Sequence, residues 1–238
     1  MQPIRSIAIE GIDRLGKDTL IKGIQQKLGV FQVVHYQKPE LLDAYVNDAQ
    51  RNFNSTSVEG EVKTAALKNY QVESFRNMFH MLSSGARFIL NRAHLGEMVY
   101  APRYRKYDGS YVFDLERQFK HDLGSSVLDT TLLVLLHASD TSFIKDDGLS
   151  FDFAAKEAEQ MDFIRAFERS NIKHKLMIDV SVDGGYVPAE KILAVVTAAY
   201  ERIQSFEHPI WNVFWESDGA GGFSQVNELM PDPKGLVS

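Results

Sequence analysis

The chain has 238 residues, 26 basic and 32 acidic side chains, a net charge of −6 and no cysteine. That length suits one α/β domain around a single core, the lack of cysteine excludes disulfides and thiolate metal sites, and the acidic balance leaves no basic footprint for a nucleic acid polymer. No apolar run nears the roughly 18 residues of a membrane span and the opening MQPIRSIAIE lacks the form of a secretory signal, so a soluble cytoplasmic protein with no membrane partner is expected.

In chain order, Ile7-Ala8-Ile9 reads as a strand that runs into a glycine-framed loop and then a helix. Leu20, Ile21, Ile24 and Leu28 line one face of that helix, and Gly29 stands where it stops. Further strands are expected at Val33 to Tyr36, Phe88 to Leu90, Leu132 to Leu136 and Leu176 to Val180. Between the last two, Ala154, Ala158, Met161 and Ile164 predict a helix with those residues buried. Pro188 opens another, with Ile192, Val195, Val196, Ala199 and Ile203 inward. Strands alternating with helices predict a three-layer α/β/α fold around a parallel sheet of about five strands. From about Phe206 the pattern gives way to Gly, Pro and aromatic residues. A main domain over 1–205 and an irregular tail over 206–238 are therefore expected.

The loop GIDRLGKD matches seven of the eight positions of G-x-x-x-x-G-K-[ST], the pattern of a phosphate-cradling loop. Its place between a strand and a helix matters more than the string, because backbone N–H groups and a helix N-terminus together bind phosphate there. Gly11, Asp13, Arg14, Leu15, Gly16, Lys17, Asp18 and Thr19 are accordingly the residues expected around a nucleoside triphosphate, with Lys17 reaching its β- and γ-phosphates. Asp18 stands where a hydroxyl would face Mg²⁺. Either Asp18 is itself a carboxylate partner of the metal, or it caps the helix and Thr19 supplies the hydroxyl.

IEGIDRLGKDT resembles the loop of thymidylate kinases and related deoxynucleoside monophosphate kinases, whose pattern includes both Glu10 and Asp13. The resemblance implies that Asp13 contacts the deoxyribose 3′-hydroxyl and neighbouring cations. It also implies that Arg14, directly after this aspartate, stabilises the transferring phosphoryl; the lid segment FIKDDGLSFDF, 143–153, holds no arginine that would do so instead. FILNRAHLGEMVY resembles the family's Asp-Arg-Tyr/His strand-end motif, so Arg92 is expected to grip the acceptor monophosphate and Tyr100 to match a later tyrosine. Asn91 stands where that motif has aspartate, which suggests that one carboxylate is lost on the strand and another gained at Asp18.

YAPRYR is similar to a segment of the phage-encoded branch, and Arg103 and Arg105 would clamp phosphate oxygens if the likeness holds. The likeness to that branch would make the host cytoplasm the location. Lys38 in HYQKPE, and Phe75 and Arg76 in YQVESFRNMFHML, are the expected contacts to the acceptor and its base. The resemblance implies ATP and Mg²⁺ as cofactors, mononucleotides as the small-molecule partners, a homodimer, and transfer of the γ-phosphoryl of ATP to dTMP or a related pyrimidine deoxynucleotide. A deoxynucleoside kinase shares the loop but needs a carboxylate base for a 5′-hydroxyl, whereas a monophosphate acceptor needs cations such as Arg92, Arg103 and Arg105. A nucleotide-binding protein without catalysis is the remaining alternative, kept open by Asp18 and Asn91.

Overall fold

The computed structural model describes residues 4–29, 31–36, 58–119, 127–145, 153–205 and 210–229. The first strand, β1 (Ser6–Glu10), is buried at all five positions, as expected of a strand covered on both faces. It runs through the phosphate-loop sequence into α1 (Lys17–Leu28), which buries Leu20, Ile21 and Ile24 and ends at Gly29 with φ 82°. Next come β2 (Gln32–His35), the long α2 (Val58–Ser83), β3 (Phe88–Asn91) and the short α3 (Leu95–Tyr100). A π-helical turn over Ala101–Arg105 leads to α4 (Tyr111–Gln118), the single turn α5 (Val127–Thr130) and β4 (Thr131–His137). The chain continues through α6 (Lys156–Arg169), β5 (His174–Asp179), the two-residue strands β6 (Ser181–Val182) and β7 (Gly185–Tyr186), and α7 (Ala189–Ser205).

The five expected strands form a parallel sheet in the order β2-β3-β1-β4-β5. Two more join it, which corrects the expected count and the irregular tail. β8 (Ile210–Ser217) pairs parallel to β5, and β9 (Phe223–Leu229) closes the edge antiparallel to β8. Val213 and Trp215 enter the main core from β8, so this part of the tail belongs to the fold.

The expected face of α6 is also corrected. Met161 is 48% exposed, while Phe163, Ala166 and Phe167 are buried with Glu159 and Gln160. Gln160 satisfies the main chain at the end of β4, accepting from the Ala138 N–H at 2.8 Å and donating to the Ala138 carbonyl at 2.7 Å. A polar side chain with a buried job of this kind breaks the apolar spacing from which a helix face is read. Among the described residues no helix is long and apolar enough to cross a membrane.

Candidate active site

The carboxyl ends of β1, β2 and β3 lie side by side, with Ile9 opposite Asn91 and Asn91 opposite His35. Parallel α/β sheets present ligand sites along this edge, where strands hand over to helix N-termini. Here the edge opens into a cleft of about 990 Å³, bounded by Asp13, Arg14, Gly16 and Lys17 to Thr19, by Lys22 and Gln25 of α1, and by His35, Tyr36, Asn91 and Arg92.

Two glycines shape the loop. Gly11 has φ 130°, and a Cβ there would lie 2.3 Å from the Leu136 carbonyl oxygen, so the loop presses on β4 more closely than any side chain allows. Gly16, at φ 79°, turns the chain into α1, and a Cβ on it would meet nothing within 4 Å. The helix opens with no side-chain cap. Its first-turn N–H groups, which no intrahelical carbonyl can satisfy, therefore offer donors and the positive end of the helix dipole to the cleft.

Lys17 is 7% exposed and curls over the loop, donating from Nζ to the carbonyls of Gly11 at 2.9 Å and Ile12 at 2.5 Å. Burial, followed by the nearby Arg92 guanidinium, lowers its pKa to about 8 against the attraction of Asp13, Glu10 and Asp18. Asp13 sits 3.9 Å from the Lys17 ammonium and is ion-paired with Arg92 across the cleft. Both partners of that second pair are about half exposed.

Arg92 owes its place to Glu10. The Glu10 carboxylate is fully buried at the end of β1 and accepts from the N–H groups of Ala93 at 3.0 Å and Leu95 at 2.8 Å. Arg92 itself donates its N–H to the Ile9 carbonyl at 3.0 Å and takes φ 64°. Glu10 thus clasps the turn after β3 and aims the arginine outward. Burial pushes its carboxyl pKa up, opposed by the positive groups and the two N–H donors.

The Asp18 carboxylate accepts from Asn91 Nδ2 at 2.5 Å, and the same amide nitrogen lies 3.0 Å from His35 Nδ1, with Asn91 donating and the ring nitrogen accepting. The two departures from the familiar loop and strand-end patterns therefore meet in one hydrogen bond. Among the described residues no three His, Cys, Asp or Glu side chains gather as a metal cluster. Asp18 and Thr19 both line the cleft, and a carboxylate and a hydroxyl are oxygen donors of the kind Mg²⁺ takes one or two of, with water and phosphate completing its shell.

Several other expected residues lie elsewhere. Leu15 lines the core at 1% exposure rather than the cleft. Phe75 is buried and stacks on Tyr36 with ring centroids 5.5 Å apart, so Tyr36, which the sequence reading passed over, is the ring that reaches the cleft. Its hydroxyl donates to the Ser74 carbonyl at 2.9 Å, and burial pushes its pKa up to about 12. Arg76 pairs with Glu73 on its own helix at 2.6 Å and does not line the cleft.

Arg103 and Arg105 are corrected as phosphate clamps. Arg103 binds Asp162 of α6 at 3.0 Å and 2.5 Å. Arg105 pairs with the buried Glu97, which also accepts from the hydroxyls of Tyr107 at 2.7 Å and Tyr111 at 2.9 Å. These pairs fasten the π-helical turn to α3 and α6. Tyr100 packs between Tyr104 and Phe163, near enough to Asp13 and Arg92 that both charges act on its hydroxyl. Burial raises that hydroxyl well above the ordinary range. Lys38 and residues 146–152 of the expected lid lie outside the described residues. His35 also went unassigned in the sequence, because its place beside Asn91 follows from the register of β2 against β3.

No protein-family model matches the chain, and no curated protein matches it. Solved structures do. The chain is similar to the YorR protein of Bacillus subtilis, solved in complex with phosphorylated GDP, at 16% identity and a TM-score of 0.55 over 85% of this chain and 99% of that one. It is similar to a thymidylate kinase from Candida albicans at 16% identity and a TM-score of 0.51, covering 86% and 94% of the two chains. The chain has the three-layer, mostly parallel α/β fold of these structures.

Proposed function

We propose that this chain is a nucleotide kinase that transfers the γ-phosphoryl of ATP to a nucleoside 5′-monophosphate, with dTMP or a related pyrimidine deoxynucleotide as the acceptor. One observation carries the reading. Lys17, Arg14 and Arg92 converge with an uncapped helix N-terminus on one cleft at the carboxyl edge of the sheet. Such an arrangement suits two anionic ligands placed end to end, the donor on the loop and the acceptor toward Arg92. The structural neighbours, one a thymidylate kinase and one solved with phosphorylated GDP, are in keeping with nucleotide ligands.

Phosphoryl transfer asks the protein for in-line placement and charge neutralisation more than covalent chemistry. The loop amides and the α1 N-terminus hold the donor phosphates, and Lys17 exchanges its carbonyl partners for phosphate oxygens. Asp18 and Thr19 would hold Mg²⁺, which would supply charge neutralisation for the donor phosphates. Arg14 meets the charge that develops on the moving group. Arg92, steadied by Asp13 and by the Glu10 clasp, orients the acceptor phosphate. Of Arg92, Arg103 and Arg105 it is Arg92 that lines the cleft, so it carries that grip, and Tyr36 brings an aromatic ring to the same cleft. Asp13 and Asp18, the carboxylates lining the cleft, are held by Arg92 and Asn91. A free nucleoside would require one of them as a base, so a monophosphate is the better match.

The test is a coupled assay of ADP release with ATP, Mg²⁺ and a panel of nucleoside monophosphates beside the free nucleosides. Turnover with at least one monophosphate, and none with nucleosides, is the expected result. Turnover with nucleosides alone selects the deoxynucleoside kinase, and nucleotide binding without turnover selects a non-catalytic binder.

A further inference from the structure

Arg14 holds a left-handed backbone, φ 70°, which side chains other than glycine rarely adopt unless something outside holds them. The hydroxyl of Tyr186 donates to the Arg14 carbonyl oxygen at 2.9 Å, bridging 172 positions of sequence. Tyr186 is 49% exposed. It therefore contributes little to the core, and its hydroxyl is what it brings to the loop.

The support behind it is stiff. Tyr186 stands on β7 of a hairpin whose two-residue turn, Asp183 and Gly184, has φ of 49° and 72°, the positive pair of an Asp-Gly turn. The hairpin is rooted at the end of β5, where Asp179 accepts from the Ser181 N–H at 2.9 Å, the Ser181 hydroxyl at 2.6 Å and the Ser139 N–H at 3.1 Å. Val187 closes the other side with its N–H on the Val180 carbonyl at 2.9 Å. Phe143, where the chain leaves the β4 end, meets the Tyr186 ring edge-on at 4.5 Å. The hairpin thus stands on two strand ends and meets the phosphate loop through the Tyr186 hydroxyl. Burial raises the Tyr186 hydroxyl pKa despite the pull of the Arg14 charge, so it remains a proton donor at neutral pH.

We propose that Tyr186 is a positioning residue for Arg14: its hydroxyl, carried by the β6–β7 hairpin, holds the Arg14 peptide in the left-handed conformation that presents the guanidinium to the cleft. The proposal rests on the phosphoryl-transfer reading above for its kinetic consequence, but not for its structural one.

The test is Tyr186→Phe, which keeps the ring against Phe143 and removes one hydroxyl, in the wild-type and Arg14→Ala backgrounds. In the wild-type background kcat falls about five- to tenfold, the worth of one hydrogen bond, while KM for ATP stays within about twofold. In the Arg14→Ala background the same substitution changes kcat by less than about twofold, because the group it positions is gone. Hydrogen exchange of the peptide spanning residues 11–19 in the free protein rises several-fold, by about the factor lost in kcat, while the melting temperature falls by no more than about 2 to 4 °C. Equal losses in both backgrounds, or unaltered exchange of the loop, overturn the proposal. Should the chain turn over no acceptor at all, the proposed function falls, and the exchange measurement still decides for or against the strut.

Discussion

Lys17 sets the pH behaviour of the site. Burial and the Arg92 charge bring its pKa to about 8, far below an ordinary lysine. The unfolded chain therefore holds more protons at this position between pH 8 and the ordinary lysine value, so this group's contribution makes the free protein more stable as pH rises through that window, with its burial penalty fully present below it. ATP reverses the electrostatics, since a polyphosphate favours the charged amine. Calorimetry of ATP–Mg²⁺ in buffers of different ionisation enthalpy should find uptake approaching about one proton at roughly pH 8.5 to 9, and little at pH 6.5 from this group. No uptake at alkaline pH contradicts a direct contact between Lys17 and phosphate. Arg14→Ala should lower kcat about 10³-fold or more while leaving ATP affinity nearly intact, in steady-state kinetics paired with calorimetry. At Asp18, the bond from Asn91 joins the loop carboxylate to the end of β3. Asn91→Asp alone sets two carboxylates where one N–H···O bond now lies, with an expected loss of about tenfold or more in Mg²⁺-dependent turnover. Adding Asp18→Ser should restore most of it. A dead double variant beside two active single variants contradicts the exchange.

The elements differ in how openly the sequence declares them. β1, β4 and β5 read as short apolar runs because both faces of each are covered, and the first helix was legible from Leu20, Ile21 and Ile24. The β8–β9 hairpin was not, because β9 is an edge strand with polar side chains facing solvent and its turn, Asp218 to Gly222, looks like tail. The inward pair Val213 and Trp215, with Phe223 of β9 packed against the same core, marks it as structure. Trp215→Ala should destabilise the whole domain by about 3 to 5 kcal/mol in urea denaturation, with a single transition, because the hairpin extends the same sheet. A loss below about 1 kcal/mol contradicts a structural role for β8. Long-range pairs were hidden for a different reason. A sequence displays a cation such as Arg103 or Arg105 but not the counter-charge that the fold brings to it, here Asp162 from α6 and Glu97 from the preceding helix.

At the scale of the molecule, three strand ends and one helix start define the site, and the same edge carries Glu10, Asn91 and His35. The loop half was legible because its chemistry is written in contiguous residues, Gly11 to Thr19. The half of the cleft opposite the loop was legible only at Arg92, because Tyr36 and His35 reach it through the register of β2 against β3, which no local pattern encodes. We propose that this edge holds two nucleotides at once, donor phosphates on the loop and acceptor phosphate at Arg92. Its most direct test is sequential calorimetry with Mg²⁺, first a non-hydrolysable ATP analogue and then dTMP with the other mononucleotides in turn. One site for the analogue and one further site for at least one mononucleotide, the second lost in Arg92→Ala and the first retained, is the result predicted. Competition of both ligands for a single site, or no heat from either, contradicts it.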